Sequence, residues 1–157
     1  MNRSEAPNHP PLTQGIVVAV VLALAGGALF AGLTLWFTPH TAIRWITTLL
    51  GGAYGLYLLA RSAQRTGRIA AVVCWCFGAI AIAGCVDSLA LFLVLHTAMI
   101  WLLRTLYFHA SIVAALVDLG LSALALAAAV WAAMSSASIW LAIWCLFLVQ
   151  AVFVLLP

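Results

Sequence analysis

The chain has 157 residues, of which 68% are hydrophobic and 6% are charged, with six basic and three acidic side chains. So few charges exclude a water-soluble globule, because a surface of this composition has too little polar area to be solvated. The basic residues are all arginine and are scattered along the chain, which also excludes a continuous nucleic-acid-binding patch. We therefore expect an integral membrane protein whose first partner is the lipid bilayer.

The chain opens with a short polar segment followed by a long apolar one. Residues 1–14 contain three prolines and lack apolar periodicity, which predicts a disordered cytoplasmic tail. Residues 15–37 are apolar for longer than the core of a signal peptide, and further apolar runs follow. This segment is therefore predicted to be a retained membrane helix that begins a transmembrane domain over residues 15–157.

Breaks in apolarity define the other helices. Proline and polar groups around Pro39 end the first helix, and the polar run 61–68 ends the second. The apolar stretch that follows is long enough for two spans, and Asp87 with Ser88 marks the division between them. A serine-rich turn at 135–138 separates the last two helices. The predicted membrane helices cover about 15–37, 41–60, 69–86, 88–108, 110–133 and 138–156.

Arginine positions predict how these helices are oriented. With six spans, every arginine except Arg44 falls on one face, and cationic connections stay on the cytoplasmic side of a bacterial inner membrane. Both termini are therefore expected in the cytoplasm. The short connections predict three antiparallel hairpins, so the expected fold is an all-α compact up-down bundle.

Small residues indicate where helices pack closely. Gly51 and Gly55 have the G-x-x-x-G spacing on the second helix, and on the first helix either Gly27 with Ala31 or Ala28 with Gly32 has the same spacing. We expect the first two helices to pack at these residues. A homodimer face is the alternative, since the motif also occurs at interfaces between chains.

One acidic residue, Asp118, lies well inside the fifth helix, where a carboxylate is costly. Arg104 on the fourth helix has a similar depth in the predicted hairpin, which favours a buried ion pair. The face of the fifth helix that contains Asp118 is predicted to pack against protein, because it consists of small or polar residues: Ala114, Asp118, Ser122, Ala125, Ala129 and Ala132.

Other polar side chains have comparable depth and give an alternative hypothesis for Asp118. Gln150, Tyr54 and Tyr57 are expected on the cytoplasmic half, where they could form a proton- or cation-handling layer with Asp118 and Arg104. His96 is either a neutral imidazole bonded to a neighbouring helix or a relay to Asp118. Haem ligation would need a second histidine at matching depth, so no cofactor or metal is predicted.

Sequence signatures of enzymes are absent, including metalloprotease, hydrolase and phosphate-loop motifs. Catalysis is therefore not expected. The favoured function is a non-catalytic inner-membrane subunit or scaffold that assembles with other membrane proteins or with itself. The alternative is a small proton or solute transporter or channel that uses Asp118 and His96.

Overall fold

Six α-helices form from the six apolar runs. The computed structural model describes residues 12–62, 66–108 and 111–151, and no strand occurs in these ranges. The helices are α1 (Leu12–Leu33), α2 (Pro39–Arg61), α3 (Arg68–Cys85), α4 (Leu89–Phe108), α5 (Ile112–Ser136) and α6 (Ile139–Ala151). Four of them, α1, α3, α4 and α5, are long and apolar enough to cross a membrane. The predicted all-α fold with six helices is confirmed.

Capping hydrogen bonds and short non-helical segments mark the breaks between helices. Thr38 caps α2 by accepting a bond from the backbone N–H of Thr41 at 3.3 Å, with Pro39 in the first turn. The predicted division between α3 and α4 is confirmed, because residues 86–88 are non-helical and Asp87 is exposed. The predicted tail up to residue 11, the predicted end of the sixth helix at 152–156 and the turn at 109–110 lie outside the described residues.

Two predicted helix ends are wrong by a few residues. The first helix ends at Leu33, four residues early, because the chain enters a turn in which the backbone N–H groups of Leu35 and Trp36 bond to carbonyls three residues back. The fifth helix continues to Ser136, because its final serine hydroxyls bond to carbonyls of the preceding turn and so do not compete with the helix. The left-handed residue that ends it is Ala137, with φ 53°.

Five helices close into a ring. Following the contacts around it, α1 packs on α2, α2 on α4, α4 on α5, α5 on α6, and α6 on α1. Helix α3 lies outside this ring, against α2 and α4. The sequence order and the spatial order therefore differ, because α4 takes the place beside α2 that α3 would have in a simple circular arrangement.

The interior of the ring has an apolar part made largely by α1, α2 and α6. Alanines on α1 allow close approach, and larger side chains from the other helices fill the space between them. The buried apolar cluster consists of Ala19, Ala23, Ile46, Leu50, Tyr54, Leu58, Ile100, Ile143 and Phe147. The polar residues described below also lie within the ring.

The predicted partners of the small residues are wrong. A Cβ at Gly51 would meet Trp75 of α3 at 3.1 Å, and one at Gly55 would meet Leu103 of α4 at 3.3 Å. Both therefore face α3 and α4 and not the first helix. On α1, Gly27 faces Trp140 of α6, and Ala31 is exposed.

The close approach of α1 to α2 occurs instead at Gly26. A Cβ there would lie 2.5 Å from Ile143 Cδ1 and 2.8 Å from Leu50 Cδ1, so this glycine is where α1, α2 and α6 meet. The G-x-x-x-G spacing therefore indicated close packing but not the correct neighbouring helix. Which helix a glycine faces depends on residues from all five helices of the ring.

Candidate functional site

The candidate site is a buried polar cluster with an ion pair at its centre. Arg104 Nε of α4 lies 3.1 Å from Asp118 Oδ2 of α5, and both side chains are 0% exposed. This is the pair expected from equal depth in the hairpin. The buried face of α5 contains Ala115, Asp118, Ser122, Ala125 and Ala132, whereas Leu116, Leu119 and Leu124 are exposed.

Ser122 joins the ion pair to the backbone of α5. Its hydroxyl accepts a hydrogen bond from Arg104 Nη2 and donates one to the Asp118 carbonyl at 2.9 Å. The hydroxyl can do both because it has one donor and two acceptor positions. Ser122 was predicted only as part of the packing face. Its position one helical turn after Asp118 could have predicted that its hydroxyl lies beside the ion pair.

Tyr54 adds a third helix to the cluster. It is buried on α2, and its side chain lies within electrostatic reach of both Arg104 and Asp118. Its ring packs against Phe147 of α6 with centroids 5.3 Å apart. The ion pair between α4 and α5 therefore also has α2 close to it, and we define Arg104, Asp118, Ser122 and Tyr54 as the buried cluster.

This geometry favours a fixed structural connection between helices. Opposite charges compensate one another inside the ring, and a hydrogen bond to Ser122 holds the guanidinium in place. Neither charge is exposed in this conformation, so a transported ion would reach them only after the helices move apart.

Other predicted members of the polar layer lie apart from these bonds. Tyr57 is half-buried and accepts a hydrogen bond from Arg61 Nη1 at 2.9 Å. Gln150 is 1% exposed, and within the described residues neither atom of its amide has a hydrogen-bond partner.

His96 belongs to a second polar contact on α4, two helical turns from Arg104. Its Nδ1 lies 3.0 Å from the Phe92 carbonyl, and its Nε2 lies 3.2 Å from Thr48 Oγ1 of α2. A carbonyl can only accept, so Nδ1 donates, and in the neutral ring Nε2 accepts from the Thr48 hydroxyl, whose single proton is shared with the Arg44 carbonyl at 3.1 Å. These contacts match the predicted imidazole bonded to a neighbouring helix and include no bond to Asp118.

The bond between Thr48 and His96 predicts a selective loss of stability. Thr48→Val keeps the shape of the side chain but leaves Nε2 buried without a donor, which should cost about 0.5–2 kcal/mol. Thr48→Ser should retain most of the bond. Thr97→Val is the matched control, because the Thr97 hydroxyl bonds only within its own helix, to the Leu93 carbonyl at 2.9 Å. Unfolding in detergent with increasing dodecyl sulfate measures each change, and equal losses at the two threonines would contradict the assignment.

A third contact between helices was not predicted. Trp101 of α4 donates from its indole Nε1 to the Ala115 carbonyl of α5 at 2.9 Å. This bond joins the same two helices as the ion pair, so it helps to fix the position of α4 relative to α5. Sequence alone gives no signal for it, because the acceptor is a backbone carbonyl.

Metal binding has no support in the part of the chain that the structure describes, where no three histidine, cysteine or acidic side chains come together. No protein-family model matches this chain, and neither a curated protein nor a solved structure is significantly similar to it.

Proposed function

We propose that the chain crosses a bacterial inner membrane six times, as three antiparallel hairpins with cytoplasmic termini, and serves as a non-catalytic subunit or scaffold. The four long apolar helices support the membrane location. The arginine distribution supports the orientation, because Arg61 and Arg68 flank one connection whereas Arg44 lies near the opposite end of α2.

The observation that carries the subunit proposal is the uncovered surface of α3. Ala79 is the buried residue of this helix, and its outer surface exposes Phe77 and Ile80, each 70% exposed. Small residues at four-residue spacing are interleaved with them: Ala70 with Cys74, and Ala81 with Cys85 are exposed. This combination is typical of helix contacts in membranes, because small residues allow a second helix to approach closely.

The bonding of the interior supports a role without catalysis. Arg104 and Asp118 are bonded to each other and to Ser122, and His96 is bonded to Thr48. These polar groups join three helices, α2, α4 and α5. Because these groups are bonded to one another, the proposed partner surface is the exposed face of α3 and not the polar interior.

Photo-crosslinking in native membranes tests the subunit proposal. A photoreactive residue at position 74 on α3 should give a discrete adduct with a second protein, or one of twice 16.6 kDa if the partner is another copy. The control position is Leu116, which is exposed on α5. Adducts with lipid alone at both positions would contradict the proposal, as would a protein adduct only at position 116.

A second candidate function, transport, is favoured by Gln150. Its buried amide has no hydrogen-bond partner within the described residues, and such groups commonly mark a bound water or ion. Purified protein in liposomes with an internal pH dye tests this role under an imposed potential. A subunit should give the same proton flux as empty liposomes. A flux that Asp118→Asn abolishes would instead establish a transporter and contradict the subunit proposal.

A further inference from the structure

Helix α3 lies outside the ring, so its position depends on its contacts with α2 and α4. The contacts along its middle are close and apolar. A Cβ at Gly51 or Gly52 of α2 would lie 3.1 Å or 3.2 Å from the Trp75 ring, and one at Gly78 would lie 2.9 Å from Met99 Cε of α4. Lipid chains are as apolar as these surfaces, so apolar contact alone gives α3 little preference for the ring over lipid.

A polar contact joins the C-terminal end of α3 to α2. Arg44 is half-buried on α2, and its Nη2 donates a hydrogen bond to the Ala83 carbonyl at 2.8 Å. Helix α3 ends at Cys85, and the last four carbonyls of a helix have no N–H partner within it. A cationic donor at this end satisfies one such carbonyl and is attracted by the negative end of the helix dipole. Arg44 therefore caps α3 from a neighbouring helix.

Helix α4 supports the same guanidinium. Arg44 Cζ lies 4.5 Å from the centre of the Phe92 ring, which is the geometry of a cation–π contact. Phe92 is buried and stacks on His96 with ring centroids 4.2 Å apart, and His96 is bonded to Thr48. Trp75 of α3 meets the same His96 ring edge-on, with centroids 6.2 Å apart. The guanidinium of Arg44 thus contacts α3 and α4 while its backbone belongs to α2.

The connection between α3 and α4 does not replace this contact. Residues 86–88 are non-helical and join the two helices, so the C-terminal end of α3 stays near the start of α4. This connection leaves the distance between the same end of α3 and α2 open, and the bond from Arg44 to Ala83 spans that distance. Ala83 follows the buried Ala79 by one helical turn, so the bond lies on the side of α3 that faces the ring.

We propose that Arg44 is the positioning residue of α3, and that its bond to Ala83 holds the C-terminal half of this helix against α2. That half carries the exposed Phe77, Ile80 and Ala81. The consequence for a partner rests on the subunit function proposed above. Arg44 fixes the partner surface in one orientation before a partner binds, which lowers the cost of ordering that surface on binding.

Distances between spin labels in the detergent-solubilised full chain test this role. Labels are attached to Leu29→Cys on α1 and Ala81→Cys on α3, both exposed positions, after the four native cysteines are replaced by alanine. Arg44→Gln should broaden this distance distribution, because glutamine is uncharged and shorter than arginine. Leu29→Cys with Val94→Cys on α4 is the matched control pair, and its distribution should be unchanged because both helices belong to the ring.

Arg44→Lys separates a cap from a side chain that only fills space. Lysine retains the charge and can donate to the same carbonyl, so it should restore most of the narrow distribution. An unchanged distribution between positions 29 and 81 in Arg44→Gln would contradict the proposal, as would a distribution in Arg44→Lys as broad as that in Arg44→Gln. Equal broadening of both label pairs would show that Arg44 stabilises the whole bundle and does not position α3 in particular.

Phe92→Leu keeps the proposal testable if Arg44→Gln does not fold. Leucine keeps an apolar side chain at this position but lacks the ring face that contacts the guanidinium. The distribution between positions 29 and 81 should therefore broaden, though less than after loss of the charge. No broadening would contradict the support of Arg44 by α4.

Photo-crosslinking at position 81 in native membranes connects this role to the proposed partner. The protein adduct of the unmodified chain should fall several-fold in Arg44→Gln and return in Arg44→Lys. Absence of a protein adduct in the unmodified chain would contradict the subunit function alone, because the spin-label distances need no partner. A full adduct yield in Arg44→Gln would contradict the dependence of the partner surface on Arg44.

Discussion

Asp118→Ala should destabilise the protein by about 3–5 kcal/mol, because it leaves the Arg104 guanidinium charged inside the ring. The double change Asp118→Ala with Arg104→Leu removes both charges and should recover much of that loss. Recovery should be incomplete, since Ser122 then loses its hydrogen bond with the guanidinium. Dodecyl sulfate titration of the purified protein in detergent gives the free energy of unfolding for each variant.

Asp87→Ala is the matched control for the loss of a carboxylate. Asp87 is exposed in the turn between α3 and α4, so its removal should change stability by no more than about 0.5 kcal/mol. A double variant as unstable as Asp118→Ala alone would contradict mutual compensation of the two charges. It would instead assign the main contribution of Asp118 to contacts other than the ion pair.

The sequence was sufficient to predict the helices because their signal is local. Apolar length defines a helix that can span a bilayer, and a proline or a polar pair such as Asp87 and Ser88 defines a break. The Arg104–Asp118 pair was also predictable, since two costly charges at similar depth on consecutive helices have few other partners. The small-residue face of α5 followed from the same cost of burial.

The neighbours of non-consecutive helices could not be predicted. In the structure α3 lies outside the ring and α4 lies beside α2. These positions depend on how well the surfaces of several helices fit together, and the sequence of a single helix does not contain that information. Gly51 therefore faces Trp75 although its spacing suggested the first helix. Tyr54 was predicted at the depth of Asp118, but its contact with Arg104 requires that α2 and α4 be adjacent. The orientation of the bundle and its partners remain predictions from arginine positions and exposed surface.

Gly26→Leu should destabilise the bundle by about 1–3 kcal/mol, the usual cost of overpacking. A Cβ at Gly26 would already lie 2.5 Å from Ile143 Cδ1 and 2.8 Å from Leu50 Cδ1, so a leucine must push apart α1, α2 and α6. Gly26→Ala should cost less, because both neighbouring atoms end flexible side chains and can shift. The free energy of unfolding in detergent distinguishes these variants.

Gly32→Leu tests whether the loss comes from the contact or from adding leucine to α1. A Cβ at Gly32 would meet nothing within 4 Å, so the substitution should be neutral or slightly stabilising, as glycine is a poor helix former. Ile143→Ala should be less damaging in the Gly26→Leu background than alone, because it creates the space that the new leucine needs. Equal effects at Gly26 and Gly32, or additive effects of Gly26→Leu and Ile143→Ala, would show that these three helices do not meet at Gly26.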